Sequence, residues 1–174
     1  MGCKKLACVG GLALALVACG GGKQEKEAAA QEAPATLAAG LYEVSAEVTQ
    51  LASTDNSTPA TKLKQGDKAN VKACVSDKGA PAPELFAEAA GYMCEIKNSY
   101  IRYGRMSAQL SCSRDGQPGY VMPAMMGSYT ADGFEGEINT LTYFSADGDY
   151  RMTRKVSAKR IGDCPAAGAA EKTG

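Results

Sequence analysis

The chain has 174 residues, 19 basic and 19 acidic side chains, 45 % hydrophobic content and no histidine. That length suits one domain with a core of its own, and the neutral balance leaves no basic field to attract nucleic acid. Without imidazole the commonest general base and metal ligand are gone, and Ser-His or Cys-His nucleophiles are excluded.

Lys4 and Lys5 open the chain as a positive region, followed by the apolar run Leu6 to Ala18. The run is about 13 residues, short of the ~20 that a spanning helix needs, and reads as the core of a secretory signal. Met1-Gly2 is not a myristoylation motif, because Leu6 stands where Ser or Thr is required. The run ends on Leu16-Val17-Ala18-Cys19, small residues directly followed by cysteine, and resembles a bacterial lipobox. The resemblance implies cleavage between Ala18 and Cys19, a diacylglycerol thioether on Cys19 and its N-acylation, with palmitate as a plausible acyl group. Residues 1–18 are then the signal peptide, and the mature chain, two lysines poorer, carries a net charge of −2. Membrane attachment is expected through lipid on Cys19. Gly20 is not the aspartate that retains enterobacterial lipoproteins at the inner membrane, so a periplasm-facing outer-membrane location is favoured.

Residues 19–39 form the lipidated cysteine and a flexible tether: glycines, Lys23-Gln24-Glu25-Lys26-Glu27, and an alanine-rich stretch that Pro34 interrupts. A β domain is expected over 40–164, and a small, polar, disordered tail over 165–174. Tyr42, Val44, Ala46 and Val48 alternate with polar residues and predict a half-buried strand. Strands are also expected over Lys68 to Val75 and around Tyr92 to Ile96. Pro83 to Ala90 reads as the one short helix, opened by proline and closed by Gly91. Met106, Ala108, Leu110 and Cys112 continue the period of two, as do Phe134, Gly136 and Ile138. Leu141 and Tyr143 lie out of that phase, which predicts a bulge near Thr140. Tyr150, Met152, Val156 and Ala158 mark the last strand, its apolar face interrupted by Arg154. Asp132-Gly133, Asp115-Gly116 and Asp147-Gly148 supply the turns. The predicted fold is mainly β: a single antiparallel curved sheet, or a barrel-like domain, with one short helix.

Of seven cysteines, Cys3 and Cys8 leave with the signal and Cys19 is the anchor. Cys74, Cys94, Cys112 and Cys164 remain, an even number that in an exported domain reads as two disulfides. Spacings of 20, 18 and 52 residues contain no C-x-x-C and argue against zinc. Cys94 and Cys112 fall on consecutive strand segments joined by a connection around Asn98 to Arg105, which makes a cross-strand bridge plausible and leaves Cys74 with Cys164. Four cysteines still allow three connectivities, and the sequence does not choose among them.

Gly40-Leu41-Tyr42-Glu43-Val44, Cys74-Val75, Cys94, Ser111-Cys112, Gly127-Ser128-Tyr129-Thr130 and Lys159-Arg160-Ile161-Gly162-Asp163-Cys164 follow one another in order. In these segments the chain resembles domain-of-unknown-function family 3617, small exported proteobacterial proteins, over roughly residues 40 to 164. The closing K-R-I-G-D-C is the most specific piece, and Tyr42 stands where tryptophan is common. The family implies fold and compartment; it brings no activity or catalytic residue.

Candidate chemistry is sparse. Glu135 and Glu137 share a strand face at i, i+2 and read as the wet side of a sheet. No phosphate-binding loop or dinucleotide fingerprint occurs, and Asn56-Ser57-Thr58 reads as a polar loop before Pro59. Met122-Pro123-Ala124-Met125-Met126 offers thioethers to soft copper(I), although methionine is a routine core filler. The core reading is preferred, and no metal site and no cofactor are expected. Tyr100, Tyr103, Tyr120, Tyr129, Tyr143 and Tyr150 either line a concave face open to a ligand or sit at sheet edges with wet hydroxyls. Arg154 and Arg160 are the candidate polar groups facing a cavity, against a salt bridge to an aspartate such as Asp163.

These readings converge on a non-enzymatic, membrane-anchored periplasmic lipoprotein that binds a partner or ligand in the envelope. Two alternatives stand beside it: a carrier of a small apolar ligand in a β-barrel cavity, and an inhibitor or accessory subunit of an envelope enzyme. A continuous apolar pocket of ~300 Å³ inside the sheet favours the carrier. A filled core with an exposed apolar patch favours protein partners.

Overall fold

The computed structural model describes residues 36–88 and 91–165. The signal peptide, Cys19, the tether up to residue 35, the tail over 166–174 and the last two positions of the predicted helix lie outside the described residues. Seven strands make up the domain: β1 (Gly40–Ser53), β2 (Lys68–Val75), β3 (Tyr92–Arg102), β4 (Arg105–Arg114), β5 (Gln117–Tyr129), β6 (Gly133–Phe144) and β7 (Tyr150–Gly162). All neighbours are antiparallel, in the order β2-β1-β7-β6-β5-β4-β3, and the sheet curls into a half-barrel. Among the described residues no helix is long and apolar enough to cross a membrane.

The curl needs room on the concave side. Gly127 on β5 and Gly136 on β6 face each other across the ladder, and a Cβ on Gly136 would press on the Gly127 Cα at 2.7 Å and the Met125 methyl at 2.9 Å. Paired glycines of this kind let neighbouring strands close up at a barrel corner.

Four sequence expectations are corrected. No bulge occurs at Thr140: β6 stays in unbroken register with β5 and, as far as Leu141, with β7. The inward face simply continues through the buried Thr140 and Thr142, and Leu141 and Tyr143 project outward. Of the helix expected over Pro83 to Ala90, the described residues form only a 3-10 turn at Pro83–Leu85, because the chain beyond it is drawn inward at Phe86 and Glu88. The connection between β3 and β4 is not Asn98 to Arg105 but the tight turn Tyr103-Gly104, both at positive φ, 54° and 72°, as a hairpin matched to sheet twist requires. A bulge between Ile96 and Asn98 flips the phase of β3 and hid its second half from the period-two reading. The packed domain begins before Gly40, inside the range expected to be tether: Leu37 is buried in the core, and the Tyr42 hydroxyl donates to the Ala38 carbonyl at 2.9 Å.

β5 was not among the expected strands. Its sequence carries Pro118, Gly119, Pro123 and Gly127, residues that rarely sit in central strands. Pro123 has no N–H to give, and the β4–β5 pairing lapses there, between Gln109↔Ala124 and Cys112↔Val121.

The two disulfides are Cys94–Cys112, whose residues stand directly opposite on β3 and β4, and Cys74–Cys164, with Cα atoms 5.8 Å apart. The second reaches across β1, since Leu41 pairs with Cys74 on one side and Gly162 on the other. It fastens the edge strand β2 to the chain just after β7.

Candidate functional site

Strand order gives the connection between β2 and β3 a special task. These strands follow one another in sequence yet form the two free edges of the sheet. From residue 76 on, the connection therefore runs over the open side of the half-barrel. Described as far as Glu88, this segment places Leu85 and Phe86 in the core, with the Phe86 ring 6.0 Å from that of Phe134.

Beneath it lies a buried polar cluster. Arg154 projects inward from β7 between Tyr150, Met152, Val156 and Ala158, all buried. Its Nη1 donates to the Ala87 carbonyl at 2.9 Å and its Nη2 to the Phe86 carbonyl at 2.7 Å, while Nε has no partner among the described residues. Glu88, 5 % exposed, accepts from the Tyr150 hydroxyl and from the Thr61 hydroxyl, each at 2.5 Å. Burial lowers the pKa of Arg154 and the charge of Glu88 opposes that shift. Burial, then the Glu88 charge, pushes the Tyr150 phenol well above its ordinary range; Tyr92 is raised by the same two causes in the same order. Arg114 closes the cluster by donating to the Tyr92 hydroxyl at 3.1 Å and to the Ala60 carbonyl at 2.7 Å.

The outer face divides into two regions. One row runs Glu137, Lys155, Glu47, Lys68 across β6, β7, β1 and β2, alternating in sign. Cross-strand pairs of opposite charge suit a wet face. Toward the opposite end from Gly40, the Tyr120–Tyr143 and Met122–Leu141 pairs sit side by side on β5 and β6. These four side chains are 45–60 % exposed, and Met93 projects outward from the start of β3.

Residues 37–164 match the model of a family described as Protein of unknown function (DUF3617). The chain belongs to that family. No curated protein and no solved structure matches it. In this DUF3617 domain the opening Gly40–Val44 and closing Lys159–Cys164 segments, far apart in sequence, are neighbours on β1 and β7. Arg160 donates from Nε to the Ala39 carbonyl at 2.8 Å and pairs with Asp163 at 2.5 Å. It lies over Gly40, where φ is 145° and a Cβ would collide with the guanidinium.

The sequence candidates are accordingly dispersed. Arg160 makes the aspartate salt bridge rather than facing a cavity, and Arg154 faces inward but is capped by carbonyls of the crossing segment. Tyr129 and Tyr150 are buried, whereas Tyr100, Tyr103, Tyr120 and Tyr143 are exposed and do not line the concave face. The methionine cluster is split by strand alternation, Met125 inward and Met122 and Met126 outward. Glu135 and Glu137 are both exposed on the outer face. Glu88 was missed, because one of two glutamates in a predicted helix signals nothing until the fold buries it.

Proposed function

We propose that this DUF3617 protein is a non-enzymatic lipoprotein, anchored through Cys19 and facing the periplasm, that docks a protein partner on the outer face of its sheet. The observation that carries the reading is the exposed Tyr120, Met122, Leu141 and Tyr143 group over an interior filled by side chains. Exposed apolar groups of this kind mark interaction surfaces, and tyrosine and methionine are favoured at interface centres. One depression on the outer face fits the same reading. It is an open groove of ≈ 650 Å³ lined by Tyr103, Arg105, Ser128, Glu135, Glu137 and Lys155, mostly charged or polar, and is no apolar cavity. A histidine-free composition supports the non-enzymatic part.

The test places a photo-crosslinking amino acid at position 120 in the full chain in its native envelope, with position 45 on the polar part of the same face as control. One discrete protein adduct at 120, absent at 45 and lost in Leu141→Lys, is the expected result. No adduct at 120, or equal adducts at both positions, overturns the docking reading. A Cys19→Ser chain that stays in the membrane fraction overturns the anchor.

A further inference from the structure

A buried arginine is an expensive way to fasten a loop. Desolvating a guanidinium costs several kcal/mol, and well-packed apolar residues commonly do as well or better. Arg154 is 4 % exposed, flanked by apolar side chains, bonded to two backbone carbonyls of the crossing segment, and left with an Nε that has no partner among the described residues. The segment supplies three further elements at once: the apolar Leu85 and Phe86 in the core, and the Glu88 carboxylate on the hydroxyls of Tyr150 and Thr61. An apolar body ending in a bound carboxylate is the outline of an amphiphile. Such a segment fills the concave face as a ligand would.

We propose that the concave face of the half-barrel is a binding site for a single-chain amphiphile with an anionic headgroup, which residues 76–88 occupy as a built-in surrogate. When the segment moves aside, the aliphatic chain takes the place of Leu85 and Phe86 against Tyr42 and Phe134. The anionic head takes the donors that Glu88 and the two carbonyls release, the Tyr150 and Thr61 hydroxyls and the Arg154 guanidinium. Nε of Arg154, without a partner among the described residues in the closed form, gains one. Apart from Ala82 N–H, which donates to the Cys74 carbonyl on β2, the segment's described hydrogen bonds to the rest of the domain are the Arg154 and Glu88 bonds that the ligand replaces, while Phe86 N–H and Ala87 N–H both turn back to the Pro83 carbonyl. The closed, filled interior is then one state of the domain. This site is independent of the outer-face docking surface and does not rest on it.

The experiment uses the full chain with Cys19→Ser and the fluorescent probe 11-(dansylamino)undecanoic acid. Saturable binding with a blue-shifted emission is expected, competed by dodecanoate or dodecyl phosphate and at least about tenfold less well by dodecanol, as loss of a charge-assisted hydrogen bond predicts. Whichever anion competes better identifies the headgroup as carboxylate or phosphate. The Phe86→Ala/Glu88→Gln chain weakens the surrogate and binds the probe about tenfold more tightly. Arg154→Gln loses the preference for the anion over dodecanol. Hydrogen exchange at the Phe86 and Ala87 amides accelerates on adding dodecanoate. Equal competition by dodecanoate and dodecanol on the unsubstituted interior overturns the site. So does the absence of probe binding by a Phe86→Ala/Glu88→Gln chain that keeps its sheet signal and both disulfides.

Discussion

The phenol of Tyr150 donates to the Glu88 carboxylate at 2.5 Å, joining β7 to the segment that crosses the open side of the sheet, 62 residues earlier in the chain. Neither residue has appreciable contact with solvent. Tyr150→Phe keeps the ring and removes the donor, leaving the buried carboxylate with the Thr61 hydroxyl alone among its described hydrogen-bond partners. The expected loss is about 1.5–3 kcal/mol, the usual range for a hydrogen bond to a charged group. Urea unfolding reads it as a lower midpoint at unchanged slope.

Burial of the Tyr150 phenol, and then the Glu88 charge beside it, makes stability fall at high pH. Tyr150 holds its proton above the pKa of an unfolded tyrosine, so its contribution is complete below about pH 10 and is lost as pH rises beyond that. Each proton that the folded state alone retains steepens the decline by about 1.4 kcal/mol per pH unit. Urea midpoints between pH 9 and 11 should drop less steeply for Tyr150→Phe than for the parent. An identical slope in both chains contradicts the assignment.

Asp55 organises the far end of the sheet. Its carboxylate accepts from the hydroxyl and N–H of Ser57, the Ser53 hydroxyl, and the N–H groups of Gly148 and Asp149. These bonds, those of Ser57 first, hold its carboxyl well below the ordinary range. The contribution is therefore present above about pH 4, the unfolded aspartate value, and is lost as pH falls below it. In Asp55→Asn the Gly148 and Asp149 amides should exchange several-fold faster at pH 7. Unchanged exchange would show that the turn stands without Asp55.

The disulfides should differ in weight. Chain-entropy scaling assigns about 4–5 kcal/mol to Cys74–Cys164, which spans 90 residues, and about 3 kcal/mol to Cys94–Cys112, which spans 18. Paired Cys→Ala variants compared by thermal unfolding should rank in that order. The reverse ranking would mean that β2 contributes little once unfastened.

On the outer face, Met122→Gln and Leu141→Lys should leave stability within about 0.5 kcal/mol, the usual range for exposed positions. Both side chains are about 45 % exposed, so a loss of docking without a loss of stability separates a binding surface from packing.

Strand alternation announced the antiparallel sheet, the three Asp-Gly turns and the inward faces of β1, β4 and β7, because period-two burial is a local property of sequence. The even cysteine count announced two disulfides, and compartment-level logic pointed to export. Other features were invisible locally. Pro123 and the glycines obscured β5, a bulge at Ile96/Asn98 masked half of β3, and Thr140 passed for a break because the inward positions there are threonines while the outward Leu141 and Tyr143 are apolar. Only the tertiary structure decided that β2 and β3 are opposite edges. That order sends residues 76–88 across the open side, turning an unremarkable Glu88 and an awkward Arg154 into one buried cluster. The reason is physical: which strand neighbours which, and what a loop must cross, depends on pairings more than 100 residues apart, as between Tyr42 and Arg160.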